Sequence, residues 1–196
     1  MKQQVRGEAM MCRYADDFVC AFRFKDDAEH FYRALPERLG QFGLEVAPDK
    51  TRVLRFSRFH PSLKQRVTFL GFEWYWFPDR QGAVRVKSRT ARQKLQSAGR
   101  RIKEWIRANR HLKGKQFIQE LNRRLQGHYN YYGLQGNSES LYRFYRWAKH
   151  CAFKWLNRRG GKRKSFTWET FEKALDRLGI ARPKITEVKR LHKVYA

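Results

Sequence analysis

Two adjacent aspartates, Asp16 and Asp17, lie between two apolar runs of strand length, residues 10–14 and 18–22. The pattern predicts two β-strands joined by a hairpin turn. Neighbouring side chains of a regular strand point to opposite faces, so consecutive carboxylates serve one site only where the chain turns. Close carboxylates repel each other unless a cation lies between them, and a divalent metal prefers such oxygen ligands. The pair therefore indicates a metal site at a hairpin tip, and a solvated turn is the alternative.

A second acidic pair, Asp26 and Asp27, has a structural interpretation. It precedes apolar residues at helical spacing, which predict a helix over residues 28–42. Asp26 is the predicted N-cap and Glu29 its capping-box partner, because carboxylates there accept free backbone N–H groups and favour the helix dipole. Gly43 is the predicted stop of this helix.

The other elements divide the chain near Ser88 into a mixed part and a helical part. In the mixed part, a helix packs on an antiparallel sheet. Its further strands are predicted at Val46, 53–56, 67–77 and 83–86, with a turn at 78–82. The helical part has three apolar stripes at helical spacing, which predict a small bundle. The stripes lie in residues 91–106, 117–132 and 141–155. The second helix is predicted to stop at Gly133, and the third is entered through Asn137. A basic linker at 160–165 leads to a last helix at 168–178, which is capped by Thr167.

Three short motifs in the mixed part and one longer segment in the helical part resemble the family of group II intron-encoded reverse transcriptases/maturases. The palm motifs are Tyr14-Ala15-Asp16-Asp17, residues 43–52 and Phe69-Leu70-Gly71-Phe72, and residues 125–133, 147–149 and 155–159 resemble the maturase-specific thumb segment. The resemblance covers nearly the whole chain and implies an α+β fold. It implies the C-terminal part of a palm at 1–88, an all-α thumb/maturase bundle at 89–159, and a basic linker with a C-terminal helical segment at 160–196.

The resemblance also implies roles for individual residues. Asp16 and Asp17 would ligate Mg²⁺ for RNA-directed DNA synthesis, and Lys50 would assist the departing pyrophosphate. A plain surface lysine explains Lys50 equally well, and a strand bulge is the alternative for Gly71. The residues implied near the primer end or the nucleotide are Tyr14, Ala15, Leu70 and Gly71.

The family's palm needs a further aspartate from an earlier strand and a fingers region. About a dozen residues precede Tyr14, too few to supply either. We therefore expect an incomplete metal site, since two-metal phosphoryl transfer needs ligands on both ions. The expected protein is the C-terminal part of a longer enzyme: a truncated copy, a fragmentary reading frame, or one half of a split enzyme that pairs with a separate N-terminal fragment. Alone it would be inactive as a polymerase.

The charge balance predicts a polyanionic partner without any resemblance. The chain has 44 lysines and arginines against 18 aspartates and glutamates, a formal net charge of +26, and such an excess repels itself unless nucleic acid compensates it. The mean hydropathy is -0.83, and no apolar run approaches the roughly 18 residues that span a bilayer. We expect no membrane partner and a cytoplasmic location, with an organelle as the alternative. Three cysteines without C-x-x-C spacing argue against a zinc site or a disulfide scaffold.

Basic residues on the predicted helices are the candidates for RNA contact. A solvated helix face usually carries both positive and negative side chains, but residues 90–109 carry many cations and only Glu104 as an anion. Exposed aromatic residues could stack on bases, although core packing is favoured for each of Tyr131, Tyr132, Tyr142, Tyr145 and Trp147. His128 is predicted as a hydrogen-bonded histidine at a helix end, and RNA contact is the alternative. The predicted RNA contacts are Arg100, Arg101, Arg107, Arg110, Lys113, Lys115, Arg123, Arg124, Arg143, Arg146 and Lys149.

The sequence thus leads to one hypothesis and two alternatives. The hypothesis is the C-terminal portion of a group II intron reverse transcriptase/maturase, which binds structured intron RNA to promote splicing and contributes its aspartate hairpin to synthesis on an RNA template and DNA primer. The first alternative is an RNA-binding splicing factor with no polymerase activity of its own. The second is an unrelated basic architectural protein.

Overall fold

The computed structural model describes residues 5–158 and 165–187, which form a mixed α and β structure. These ranges contain two small antiparallel sheets, ordered β1-β2 and β3-β4-β5, and five helices. None of these helices is long and apolar enough to cross a bilayer. The elements are β1 Ala9–Tyr14, β2 Asp17–Phe22, α1 Lys25–Gly40, β3 Val67–Phe69, β4 Phe72–Pro78, β5 Val84–Thr90, α2 Arg92–Asn109, α3 Gly114–Tyr132, α4 Ser138–Leu156 and α5 Trp168–Arg177.

The chain forms two compact units. The first contains the chain up to Leu70 and Trp74–Lys87, and the second contains Gly71–Glu73 and the chain from Ser88 onward. Strands β4 and β5 therefore have residues in both units. The boundary predicted near Ser88 falls inside β5, which continues to Thr90.

The first unit begins with the predicted hairpin. Strands β1 and β2 pair antiparallel, with Ala9 opposite Phe22 and Tyr14 opposite Asp17. The connection is therefore a two-residue turn made of Ala15 and Asp16, and Ala15 adopts a φ of 53°. Helix α1 packs against β2, where the ring centroids of Phe22 and Phe31 lie 5.3 Å apart. This is the helix on an antiparallel pair that the apolar pattern predicts.

The start of α1 differs from the prediction. The N-cap is Phe24, which makes no side-chain capping bond, so the prediction of Asp26 as N-cap is wrong. Both aspartates lie in the first turn and bind the segment that leads into β1. Asp26 pairs with the Arg6 guanidinium at 2.8 Å, and the buried Asp27 accepts the backbone N–H groups of Arg6 and Gly7 at 3.2 Å each. A carboxylate in the first turn keeps its favourable interaction with the helix dipole, so an earlier helix start loses little.

Three predictions of secondary structure in the first unit are also corrected. Helix α1 ends at Gly40, and Gly43 instead turns the following chain with a φ of 68°. The strands predicted at Val46 and 53–56 are absent, because no neighbouring strand in the described sheets pairs with these residues. The strand predicted over 67–77 is divided into β3 and β4 by Leu70 and Gly71, whose φ values of 50° and 78° make a two-residue hairpin turn. The predicted return through 78–82 into β5 is confirmed.

The second unit is held together by one apolar core. Helices α2, α3, α4 and α5 all contribute to it. The core side chains of α2, α3 and α4 lie in the three predicted stripes, and Phe171, Leu175 and Ile180 add to the core from outside them. Helix α3 ends at Gly133 as predicted, and the Thr167 hydroxyl caps α5 by accepting the Thr170 N–H at 3.2 Å. The predicted linker at 160–165 lies outside the described residues except for Ser165. The largest apolar side chains that are fully buried are Ile106, Phe117, Leu121, Leu125, Tyr129, Leu141, Phe171 and Leu175.

A non-helical segment after α5 runs along α3 and is not indicated by the sequence pattern. We call residues 179–187 the C-terminal strap. The Asn122 amide donates to the Gly179 carbonyl at 2.8 Å and accepts the Ala181 N–H at 2.7 Å. Further along, the Thr186 N–H donates to the Gly133 carbonyl at 2.9 Å. The strap thereby satisfies backbone groups at the C-terminal end of α3 that the helix leaves without partners.

Gly99 allows α2 and α4 to approach each other closely. A Cβ built on Gly99 would lie 2.8 Å from the Trp147 ring. We expect Gly99→Ala to lower the free energy of unfolding by about 1–2 kcal/mol, because overpacking outweighs alanine's better helix propensity. Urea unfolding followed by circular dichroism measures this change.

Gly127 in α3 is the matched control, since no heavy atom lies within 4 Å of its built Cβ. Gly127→Ala should raise stability by about 0.5–1 kcal/mol through helix propensity alone. Equal effects of the two substitutions would show that the Trp147 contact does not constrain position 99.

Candidate catalytic turn and nucleic-acid interface

The tip of the β1–β2 hairpin presents two carboxylates and a phenol to solvent. Asp16 lies in the turn, and Asp17 is the first residue of β2 opposite Tyr14. All three side chains are exposed. The Arg13 guanidinium donates to the Ala15 carbonyl at 2.8 Å and so stabilises the turn. The hairpin places both aspartates at one end of the strand pair.

The donors at this turn match magnesium in type. Mg²⁺ prefers hard oxygen ligands and keeps several waters, so two exposed carboxylates leave room for water and phosphate oxygens. Within the described ranges, no group of three or more His, Cys, Asp or Glu side chains is placed to hold an ion. The described residues therefore offer two carboxylates, fewer ligands than a two-metal centre uses.

The other residues implied in synthesis lie in exposed or turning segments. Lys50 is exposed in a turn, where its backbone N–H donates to the Ala47 carbonyl at 3.1 Å. No carboxylate of the described chain lies within 4.0 Å of its ammonium group. Leu70 and Gly71 form the turn between β3 and β4. Gly71 thus belongs to a hairpin turn and is not a strand bulge.

Behind Gly71 lies a group of rings that we call the aromatic stack, defined as Phe72, His128, Tyr131, Tyr132 and Phe144. Tyr132 is its centre: its ring centroid lies 5.2 Å from that of Phe72, 4.7 Å from that of His128 and 4.7 Å from that of Tyr131. A Cβ built on Gly71 would lie 2.9 Å from the Tyr132 hydroxyl. The turn can therefore pack this closely on α3 only because residue 71 has no side chain.

His128 differs from its prediction as a hydrogen-bonded residue at a helix end. It lies inside α3, where its ring stacks on Phe144 with centroids 3.9 Å apart. Its Nε2 atom is buried and has no hydrogen-bond partner in the described chain. Burial, and secondarily the charge of Arg101, lowers the pKa of His128 to about 4. His128 is thus a neutral ring at physiological pH and adds no positive charge for RNA.

The same burial predicts a pH dependence of stability. The pKa of His128 is lower in the folded chain than in the unfolded chain, so the unfolded chain binds the proton first as the pH falls. Stability is then fully present above about pH 6.5 and is lost progressively toward about pH 4, by about 2 kcal/mol at about pH 5. Urea unfolding at several pH values should show this loss in the native chain and not in His128→Phe. His111→Phe, which changes an exposed histidine, should retain it, and a loss of the same size in His128→Phe would contradict the assignment.

The predicted RNA contacts on α2 are exposed cations without acidic partners. Arg100, Arg101 and Arg107 are exposed, as are Lys94 and Lys103 on the same helix. In the described chain, no carboxylate lies within 4.0 Å of any of these charged nitrogens. The same holds for the predicted contacts Arg110, Lys113, Lys115, Arg143 and Arg146.

Three of the predicted contacts already have acidic partners. Arg123 and Arg124 both pair with Glu120 on α3, at 2.5 and 3.3 Å. Lys149 pairs with Glu172 and has a side chain that is only 14% exposed, so it joins α4 to α5. The sequence places these charges on helices but does not show which of them an internal carboxylate neutralises.

Aromatic side chains of the second unit divide into buried and exposed sets. Tyr145 is buried, which agrees with core packing, and Tyr132 is half-buried in the aromatic stack. Tyr131 and Tyr142 are each about half exposed, and Trp147 is exposed on the side that does not face Gly99. The rings with substantial exposed surface in this set are therefore those of Tyr131, Tyr142 and Trp147.

Comparison with protein families assigns the two halves of the chain. A family model described as reverse transcriptase (RNA-dependent DNA polymerase) matches residues 1–74, which include the Asp16–Asp17 turn. A model described as group II intron, maturase-specific domain, matches residues 95–173, which include α3, α4 and most of α2. A comparison with curated proteins gave no match. The two matches follow each other in the order of the motifs and together span most of the sequence, and the chain therefore belongs to the group II intron reverse transcriptase/maturase family.

Proposed function

We propose that this chain is the C-terminal portion of a group II intron reverse transcriptase/maturase, which binds intron RNA through its helices and contributes the Asp16–Asp17 turn to RNA-directed DNA synthesis. In this proposal residues 1–88 are palm, residues 89–159 are the thumb and maturase-specific domain, and residues 160–196 are a basic linker and a C-terminal segment. The observation that carries the proposal is the set of exposed α2 cations without carboxylate partners in the described chain.

Unpaired cations on one helix are suited to a folded RNA. Each phosphate that they neutralise releases counterions, which makes binding favourable and strongly dependent on salt. Phosphates of a folded intron lie close together, so a protein that neutralises them stabilises the compact RNA over its open forms. Exposed rings such as Tyr131 and Tyr142 can stack on unpaired bases and so distinguish loops from plain duplex. Promotion of splicing follows from this preference.

Backbone strain supports a role for the two hairpin turns. Ala15 and Leu70 are the non-glycine residues with positive φ in the described chain, at 53° and 50°. A side chain in this region costs roughly 1–3 kcal/mol, and such strain concentrates at functional sites. One of these residues lies beside Asp16 and the other beside Gly71, in the two turns proposed to hold the metal ion and the primer end.

The proposed part in DNA synthesis rests on the aspartate turn. Asp16 and Asp17 would hold Mg²⁺, which supplies charge stabilisation to a transferring phosphoryl group. The further carboxylate would come from another palm segment or from a separate N-terminal reverse transcriptase fragment. Lys50 would offer its unpaired ammonium to the leaving pyrophosphate, and Tyr14, Ala15, Leu70 and Gly71 would lie along the primer end and the nucleotide.

A second candidate function is RNA binding for splicing with no polymerase activity of the chain alone. It is favoured by the two exposed carboxylates, which have no third acidic or other metal-ligating neighbour among the described residues. The third interpretation, an unrelated architectural protein, is inconsistent with family membership.

RNA preference tests the proposed maturase function. We expect the purified chain to bind a group II intron RNA at least about tenfold more tightly than a duplex RNA of equal length at physiological salt, because loops and closely spaced phosphates add contacts that duplex lacks. Filter binding at several salt concentrations, with duplex RNA as competitor, measures this ratio. Equal affinities with equal salt slopes would exclude the maturase function.

Primer extension separates the two candidates. The chain is tested on an RNA template with a DNA primer and Mg²⁺, beside the variant Asp16→Ala/Asp17→Ala and the control Asp26→Ala, which alters an acidic residue in α1. Extension by the native chain and the control but not by the double variant would assign a working metal site. RNA preference without extension would identify the chain as a splicing factor or as a subunit that needs the other part of the palm.

A further inference from the structure

Three arginines converge on the indole ring of Trp155. The guanidinium carbons of Arg107, Arg110 and Arg158 each lie 5.4 Å from the centroid of that ring. Arg107 is in the last turn of α2, Arg110 is its C-cap, and Arg158 follows α4. Because each guanidinium carbon lies 5.4 Å from the same centroid, no two of them can be farther apart than 2 × 5.4 Å. Residues from two helix ends thus bring three positive charges close together. We call these three arginines and Trp155 the arginine cluster.

The arginine cluster contains donors and no acceptor for them. No carboxylate of the described chain lies within 4.0 Å of these guanidinium nitrogens. The indole Nε1–H of Trp155 is also buried without an acceptor in the described chain. A cation is attracted to the face of an aromatic ring, and the mutual repulsion of three cations opposes this attraction. An anion bound between them would remove the repulsion.

A second tryptophan in the same unit shows the ordinary arrangement. Arg124 lies over the ring of Trp105 at 4.2 Å and also pairs with Glu120 at 3.3 Å. One arginine over one ring is thus neutralised by a carboxylate of α3. The arginine cluster has three arginines and no such carboxylate, so its charge is left for something outside the described chain.

We propose that the arginine cluster is a phosphodiester-binding site, which anchors the RNA backbone at the C-terminal ends of α2 and α4; this inference rests on the proposed RNA-binding function. A guanidinium presents a planar fork of donors that binds phosphate oxygens in pairs. With their guanidinium carbons over the Trp155 ring, the three arginines can direct N–H groups to one ligand. Because the three charges lie within about one Debye length of one another, one phosphate or two neighbouring phosphates would feel all of them. Arg158 thereby joins the predicted RNA contacts Arg107 and Arg110.

The competing explanation is that these arginines only stabilise helix ends. A cation near a helix C-terminus stabilises the helix whether or not RNA is present. The two explanations predict different results for neutral variants. Loss of helix stabilisation lowers the melting temperature without changing the salt dependence of RNA binding, whereas loss of a phosphate site changes the salt dependence.

The test compares two triple variants that lose the same net charge. The cluster variant is Arg107→Gln/Arg110→Gln/Arg158→Gln. The control variant removes three exposed cations that already pair with carboxylates, and it is Arg85→Gln/Lys173→Gln/Arg182→Gln. A short RNA stem-loop is the probe, and the slope of log K against log salt is measured for each protein. The cluster variant should lose about 2–3 from the magnitude of that slope and about 10–100-fold in affinity at physiological salt, and the control variant less than about 1 in slope.

A second measurement uses inorganic tripolyphosphate and does not depend on RNA binding. Tripolyphosphate should raise the melting temperature of the native chain and the control variant, because it binds only the folded cluster, and should leave that of the cluster variant unchanged. Equal slope losses in the two variants, with RNA binding by the native chain intact, would overturn the site while leaving the proposed function in place. If the native chain does not bind RNA, the proposed function fails. A rise in melting temperature with tripolyphosphate that is confined to the proteins with an intact arginine cluster would then still support an anion site. An equal rise in all three proteins would overturn the anion site.

Discussion

Asn137→Ala is expected to lower the free energy of unfolding by about 3–5 kcal/mol, because it removes three hydrogen bonds of a buried amide at once and leaves their partners unsatisfied. The Asn137 side chain is fully buried. Its Oδ1 accepts the Thr90 N–H at 2.8 Å, and its Nδ2 donates to the Thr90 hydroxyl at 2.9 Å and to the Tyr132 carbonyl at 2.8 Å. One amide therefore joins the end of β5, the end of α3 and the start of α4. Urea unfolding at equal m values measures the loss.

Two further variants make this test specific. Asn130→Ala removes an exposed amide of α3 and should change stability by less than about 0.5 kcal/mol. Asn137→Asp keeps the acceptor for the Thr90 N–H but turns an oxygen toward the Tyr132 carbonyl, so it should be at least as destabilising as alanine. A loss below about 1 kcal/mol for Asn137→Ala would mean that water replaces the amide in the cavity.

The helices of the second unit are predictable from sequence because their burial is periodic. Leu95 and Ile102 on α2, like Leu121 and Leu125 on α3, recur at the spacing that places side chains on one face of a helix. Gly133 and Thr167 mark helix ends by local chemistry, a residue of low helix propensity in one case and a hydroxyl acceptor in the other. Such features depend on neighbours within a few residues, which the sequence displays directly.

Contacts between distant residues are not predictable in this way. Asn137 occupies the N-cap position of α4, as its type and place suggest, but its side chain bonds to Thr90, 47 residues earlier, instead of capping the helix. Asp27 likewise uses its carboxylate on the backbone of Gly7, 20 residues away. A single sequence carries the capacity of these groups to accept hydrogen bonds, but it does not identify the donor that the fold brings to them.

The candidate sites follow the same division. The Asp16–Asp17 turn is predictable because a hairpin tip is local: two strand patterns and a short connection suffice. The arginine cluster is not, since Arg107 and Arg110 are separated from Trp155 and Arg158 by the whole of α3 and most of α4. Sequence reasoning selected Arg107 and Arg110 singly for their charge and omitted Arg158. The sequence does not show that these three arginines lie over one tryptophan ring, or that none of them pairs with a carboxylate of the described chain.

Tyr132 connects the buried amide to the turn at Gly71. Its carbonyl accepts the Asn137 amide, and its hydroxyl lies at the position that a side chain on Gly71 would need. Its ring is held by Phe72, His128 and Tyr131. A well-packed ring transmits a disturbance on one side to the groups on the other, because protein interiors have few voids to absorb it.

Gly71→Ala should therefore lower the free energy of unfolding by about 2–5 kcal/mol, through two separate costs. The residue has a φ of 78°, where a side chain costs about 1–2 kcal/mol. The new methyl group would also meet the Tyr132 hydroxyl at 2.9 Å, and overpacking of this kind costs about 1–3 kcal/mol when the ring is held by its neighbours. Thermal and urea unfolding of the full chain measure the sum.

The chain itself offers variants that separate the two costs. Gly82 has a similar φ of 84° with no heavy atom within 4 Å of its built Cβ, so Gly82→Ala should show the backbone cost alone. Tyr132→Phe removes the atom that the methyl group would meet, and the next nearest ring atom lies at an ordinary contact distance of 3.5 Å. The double variant Gly71→Ala/Tyr132→Phe should therefore recover about 1–3 kcal/mol relative to the sum of the single changes. Additive single changes would show that the turn does not rest on Tyr132, whereas recovery would establish that a ring in the maturase-matched segment sets the position of the Gly71 turn.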